Sequence, residues 1–292
     1  MFDWLNARAS VGLGFKAPTF QQLYLDFTNP QVGYSVFGSA TVKEAFERLQ
    51  QTGQIEAVLV DPSLLEKIRP ENSLAYHTGM ELSPTGRVTL RVNAFRNDLK
   101  DMIEAAPIAA KTNGQALYTY FNIHRVFTQG LDAEIVIRLS SALSVSATYQ
   151  YLEAKDQDVL ENVRAEKVFK IGGSGRTRAV QESEYGGLFN RSAHSGTIKV
   201  AYDDNHTGLT VSLRGIFRSK YGFADNNGNS ILDDDSEYAP GYSLWNVTCS
   251  KRIFDFLILQ AGVNNVFDVT SKEFAPSVPG RILYAGIATS FR

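Results

Sequence analysis

Apolar and polar residues alternate with a period of two along most of the chain. In Gly130 to Leu139 the odd positions hold Leu131, Ala133, Ile135, Ile137 and Leu139, while the even ones hold Asp132, Glu134, Val136 and Arg138. An extended chain with this pattern has one greasy face and one wet face. Leu143 to Tyr151, Leu209 to Gly215 and Val88 to Ala94 repeat the arrangement. The phase is lost near Phe95 and Arg96, where a β-bulge or the exit from an apolar band is expected. One helical period interrupts the pattern: Val42, Ala45, Phe46 and Leu49 fall on one face of a helix, which is expected to pack on its own loop.

Turn signals divide the chain into about ten expected strands, near 4–15, 73–84, 87–103, 117–139, 143–156, 192–204, 207–221, 242–253, 256–267 and 280–291. Their connections alternate in length. Those at 84–86, 140–142, 204–206 and 254–255 are tight, whereas 16–72, 157–191, 222–241 and 268–279 are long, with a moderate one near 104–116. Short periplasmic turns alternating with longer extracellular loops are the rhythm of an outer-membrane barrel. The expected fold class is therefore all-β, an antiparallel transmembrane β-barrel segment of long strands. A soluble antiparallel sandwich also alternates. The barrel is favoured because the strands exceed the globular length of about five or six residues, and because nearly every strand has an apolar face that needs a cover.

Composition agrees with β structure, with 13 Tyr and 18 Phe against 2 Trp. Lys plus Arg number 29 and Asp plus Glu 31, with the basic residues scattered singly, so nucleic acid is not expected as a partner. A single cysteine, Cys249, excludes an internal disulfide or a cysteine zinc cluster. No stretch approaches the ~20 apolar residues of a membrane helix, which a barrel does not need. Met1-Phe2-Asp3-Trp4 lacks the basic and apolar regions of a signal peptide, so the N-terminal part of a longer precursor is expected to be missing.

Four short segments carry a resemblance. Gly12-Leu13-Gly14-Phe15-Lys16-Ala17-Pro18-Thr19-Phe20-Gln21-Gln22-Leu23-Tyr24 resembles the signature with which a barrel strand leaves the membrane in TonB-dependent receptors. Arg69-Pro70-Glu71-Asn72-Ser73, Gly262-Val263-Asn264-Asn265-Val266-Phe267-Asp268 and Pro279-Gly280-Arg281 are similar to later elements of the same family, in family order. The last strand also resembles the signal read by the barrel-assembly machinery, with Tyr284, Gly286 and Phe291 in register, although Thr289 stands at an apolar position and Arg292 follows the aromatic. The resemblance implies that residues 1–292 are the C-terminal part of a plugged receptor barrel in the bacterial outer membrane, siderophore-receptor-like and of the Bacteroidetes type. It implies as partners a plug domain, the TonB complex acting through it, outer-membrane lipid and a ferric chelate or similar ligand. It implies uptake and no enzymatic activity. No Ser-His-Asp set has motif support, and Ser195 beside His194 reads as lumen polarity. No His lies between Phe15 and Arg69, which disfavours haem as cargo.

Three groups of candidate residues follow. Tyr24, Phe27, Tyr34 and Phe37 in the first long loop either contact ligand or form the loop's own core. Asp225, Asn227, Asn229, the carbonyl of Ile231, Asp233 and Glu237 have nearly the oxygen spacing of a calcium loop, although Ser230 stands where glycine is expected; the alternative is a solvated acidic loop. Arg91, Asp132, Glu134, Arg138 and Arg214 lie on the polar face, where the resemblance implies lumen and plug contacts. The rival readings are a small self-closing pore or adhesin and a soluble β-sandwich binding module.

Overall fold

The computed structural model describes residues 4–29, 31, 33–61, 67–171, 175–229 and 231–289, with 123 and 124 as backbone only. Phe291 and Arg292 of the terminal signal and Ser230 of the acidic loop lie outside the described residues.

Ten strands run side by side in chain order, each antiparallel to the next. They are β1 (Leu5–Lys16), β2 (Glu71–Thr85), β3 (Val88–Lys111), β4 (Ala116–Arg138), β5 (Leu143–Asp156), β6 (His194–Asp204), β7 (Leu209–Arg218), β8 (Tyr242–Phe254), β9 (Leu257–Asn264) and β10 (Ile282–Thr289). Short strands from the first long loop join the far end of the same sheet. A single meander replaces the two packed layers that a sandwich requires. No pairing joins β1 to β10 among the described residues, so the ten strands form an arc of wall.

Residues directly opposite one another in antiparallel strands share a face, so the register reports how the two faces are composed. Val88, Ile137, Val145, Val200, Leu213, Val247, Val263 and Leu283 form one unbroken apolar row from β3 to β10. On the other face Glu81, Arg91, Glu134, Thr148 and Thr197 line up across β2 to β6. The apolar face is left uncovered by protein: Leu13 is 87% exposed, Leu283 72% and Ile287 73%. Hydrocarbon is the solvent that such a face matches, and extended chain tolerates it only where its backbone groups are paired sideways.

Two sequence expectations need correction. Of the two readings at Phe95 and Arg96 only the bulge is overturned, since pairing there is regular, opposite Gly130 and Gln129, and the irregularity comes later, between Leu99 and Met102, where Asp101 adopts φ 58°. The moderate loop expected near 104–116 is shorter, confined to 112–115, because β3 and β4 stay paired up to Ala110 and Ala116. Pro107 lacks a donor for the ladder and breaks the alternation, but a register shift between Pro107 and Ala109 absorbs it.

The family-like segments are explained by local chemistry. Thr19 caps α1 (Phe20–Tyr24) in a reciprocal box with Gln22, which accounts for the Pro-Thr-x-x-Gln run. Gly38 packs so closely on α1 that an added Cβ would stand 2.3 Å from the Leu23 backbone. Lys16 pairs with Glu71 at 3.0 Å, linking the first segment to the second, and the same carboxylate accepts the Ile103 N–H at 3.1 Å.

Helix α2 (Val42–Gln51) buries Val42, Ala45 and Phe46 and half-buries Leu49, the face expected from spacing. It packs on Phe37 of its own loop and also on Ile108, Ala109 and Leu117 of the β3–β4 extension. Each large side chain buried there contributes about 1.5–3 kcal/mol. A second cluster forms where α3 (Gln157–Arg164), capped by Asp156, covers Phe127; Leu160, Val163, Val180, Tyr185 and Ile231 complete it. The loop after β5 and the loop after β7 are thereby joined.

Candidate functional site

The hairpin of Asp26–Thr28 and Ser35–Phe37 lays Ser35, Val36 and Phe37 parallel to Leu117, Tyr118 and Thr119 of β4. Alternation then sorts the side chains. Ser35, Phe37, Leu117 and Thr119 are buried on the helix-covered side. Phe27, paired with Val36, and Tyr118, beside Val36, fall on the opposite side. Tyr34 joins them edge-on, 6.1 Å from the Phe27 ring and 6.4 Å from Tyr118. Tyr120, two residues along β4 from Tyr118, extends the same side. The result is an aromatic platform with Phe27 41% exposed, backed by α2.

Of the four aromatics singled out by sequence, the structure therefore brings two together. Phe37 takes the second of the two expected roles and not the first: at 2% exposure it is core of the loop, because its place in the strand points it at α2. Tyr24 is exposed but packs tilted against Phe20 on α1, at 4.8 Å, outside the Phe27–Tyr34–Tyr118 set. Tyr118 and Tyr120 sit inside a strand, and their only mark in the sequence is the alternating Leu117-Tyr118-Thr119-Tyr120 pattern.

Arg91, Asp132, Glu134, Arg138 and Arg214 all share the polar face by register. Arg91 pairs with Glu81 at 2.7 Å and Glu134 at 2.9 Å, and Asp132 accepts from Gln150 Nε2 at 2.8 Å. Arg138 donates to the Gly86 carbonyl at 3.2 Å, whereas Arg214 lies opposite Lys199 and Asn246. A concavity of about 910 Å³ opens over this face, lined by Arg8, Arg91, Asp132, Glu134, Gln150 and Arg218. Ser195 lies on the polar face opposite Arg218, while His194, opposite Tyr151, is on the other face and bonds the Tyr149 hydroxyl at 2.7 Å.

In the acidic loop, protein donors meet the candidate oxygens. Asp225, Asn227 and Asn229 accept backbone N–H groups of Gly228, Asn229 and Ile231 at 2.8, 3.0 and 3.1 Å. Asp233 accepts from the side-chain amides of Asn227 and Asn229 at 2.7 and 3.1 Å and stands 3.7 Å from the Lys170 ammonium. Glu237, the candidate bidentate acid of the calcium spacing, is a buried side chain and not part of a solvated loop. At 1% exposure its oxygens accept the N–H groups of Asn226, Asp233 and Asp234. Among the described residues no group of three or more His, Cys, Asp or Glu side chains is arranged to hold a metal ion. Next to this loop, Arg178 first, then the Gln181 N–H and Lys170, hold the Glu184 carboxyl well below the usual carboxylate range. Burial pushes the Tyr185 hydroxyl up to about 12.

Solved structures with the same architecture include the siderophore receptor PirA from Pseudomonas aeruginosa, at 16% identity and TM-score 0.61, covering 100% of this chain and 40% of that one. A mutant of the ferric enterobactin receptor PfeA from Pseudomonas aeruginosa matches at 17% and 0.63, covering 100% and 39%. The copper transporter OprC matches at 14% and 0.61, covering 100% and 38%. At these identities the likeness is one of fold, and the chain spans about 40% of the length of PirA. No curated protein sequence matches the chain. Residues 1–266 match the sequence model of the family described as TonB dependent receptor-like, beta-barrel. With a two-faced wall, long loops at one end and that match over most of its length, the chain belongs to the TonB-dependent receptor β-barrel family and is an outer-membrane protein.

Proposed function

We propose that this chain supplies the C-terminal part of the wall, and a share of the mouth, of a receptor that takes up a large nutrient chelate such as a ferric siderophore. In this reading the apolar face meets outer-membrane lipid after insertion by the barrel-assembly machinery. The polar face holds a plug domain through Arg91, Asp132, Glu134, Arg138 and Arg214, and the TonB complex acts on that plug. Binding and passage are the chain's work, with no bond-making step. The observation that carries the proposal is the open aromatic platform of Phe27, Tyr34 and Tyr118, held at the long-loop end of the wall by a helix-backed hairpin. Rigid aromatic rings on a preorganised support are suited to stacking on a planar ligand at small entropic cost.

The test uses the chain purified in detergent and titrated with a ferric tris-catecholate, read by quenching of tyrosine fluorescence. Replacing Phe27, Tyr34 and Tyr118 together by Ala is expected to weaken binding by more than about tenfold, as for the removal of a hot-spot cluster. An affinity unchanged by the triple substitution would end the proposal.

A further inference from the structure

Lys111 is 5% exposed, at the top of β3. Its ammonium donates to the Gly33 carbonyl at 2.9 Å and to Ser35 Oγ at 3.1 Å, and Ser35 Oγ is in turn 2.9 Å from Thr28 Oγ1. Both direct acceptors are neutral, and they flank Tyr34 in the chain. Among the described residues no carboxylate lies within 4.0 Å of it, whereas Lys170, the comparably enclosed cation of the other loop cluster, pairs with Glu184 and Asp233. A buried ammonium held by neutral oxygens has lost water without gaining a counter-charge, which is costly. An apolar residue would fill that place more cheaply if packing were its only purpose.

We propose that Lys111 is a specificity-determining residue that makes the aromatic platform selective for anionic ligands, the ligand supplying a counter-charge that no described carboxylate supplies within 4.0 Å. This rests on the platform reading given above. The charge sits beneath the turn that carries Tyr34, on the helix-covered side, so it acts through the low-dielectric hairpin and not by contact. Water screens such a field weakly.

The experiment compares two iron(III) chelates on the full chain in detergent, a trianionic tris-catecholate and a charge-neutral trihydroxamate. Lys111→Gln is expected to weaken the trianion by about tenfold and the neutral chelate by less than about twofold. Lys111→Arg, which keeps the charge, is expected to retain the discrimination. Limited proteolysis of the 26–37 hairpin at the wild-type rate verifies that Lys111→Gln has not simply unfolded it. Equal weakening of both chelates, or no weakening of either, overturns the charge assignment and leaves the platform reading standing. Failure of the unmodified chain to bind either chelate overturns the platform reading and the charge assignment with it.

Discussion

Asp268 accepts the backbone N–H of Arg281 on its Oδ1 at 2.7 Å, so the last two family-like segments are two halves of one device. Asn265 completes it. This residue is 4% exposed at φ 54°, and its amide bonds Val269 in both directions at 2.8 and 2.9 Å and the Pro279 carbonyl at 2.9 Å. The loop after β9 is thus folded back so that β10 starts in register.

Asn265→Ala removes those bonds and forces a Cβ-branched-free but still strained L-residue into left-handed backbone, so it is expected to destabilise the wall by about 2–4 kcal/mol. Asn265→Gly relieves the strain alone and is expected to cost less. The midpoint of the heat-induced mobility change in detergent electrophoresis checks the order. A glycine variant no more stable than the alanine variant would refute the strain component.

Phe46 anchors α2 against the β3–β4 extension. Phe46→Ala is expected to cost about 3–5 kcal/mol of local stability. Hydrogen exchange should therefore accelerate at 105–121 and in the 26–37 hairpin while the row from Val88 to Leu283 stays protected. Uniform acceleration across the wall would contradict the separation of the loop unit from the barrel.

The wall was legible in the sequence because lipid and water select side chains residue by residue, as in Gly130 to Leu139, and period two survives without knowledge of neighbours. The loops were legible only where chemistry is local. The α2 face could be read from Val42, Ala45, Phe46 and Leu49, and the Thr19 cap lies within a single turn. What could not be read depends on distant partners. Phe37 and Phe27 are equivalent as a list of aromatics, and only the parallel pairing of Ser35–Phe37 with Leu117–Thr119 buries one and exposes the other. The spacing of Glu237 likewise does not reveal the three backbone N–H groups that its carboxylate accepts.

The joined loops after β5 and β7 should respond to pH at both extremes. Glu184 has a folded pKa depressed by Arg178 and Lys170, so its contribution is fully present above the ordinary glutamate range, about 4.3, and is lost as pH falls through the lower folded value. Tyr185 is the opposite case. Its folded pKa is raised from 10.0 to about 12, so its contribution is present below 10.0 and disappears as pH rises towards 12. Proteolytic protection of 157–191 is expected to be flat from neutral pH down to about 5 and to fail in acid and in strong alkali. In Tyr185→Phe the alkaline limb should vanish while the acid limb persists, and persistence of both would assign the alkaline loss to another group.

Calcium should have little effect on the loop of Asp225 to Glu237. For a divalent ion to bind, Glu237 must release the N–H groups of Asp233 and Asp234, and Asp233 must give up two amide donors and the nearby Lys170 charge. An ion present at a hundredfold excess over its Kd stabilises the bound state by about 2.7 kcal/mol, enough to see in a thermal scan. Millimolar calcium is accordingly expected to leave both the unfolding midpoint and the proteolysis of 225–237 where chelator leaves them. A calcium-dependent rise that disappears in Asp233→Asn would show that the loop rearranges around the ion, with Lys170 displaced.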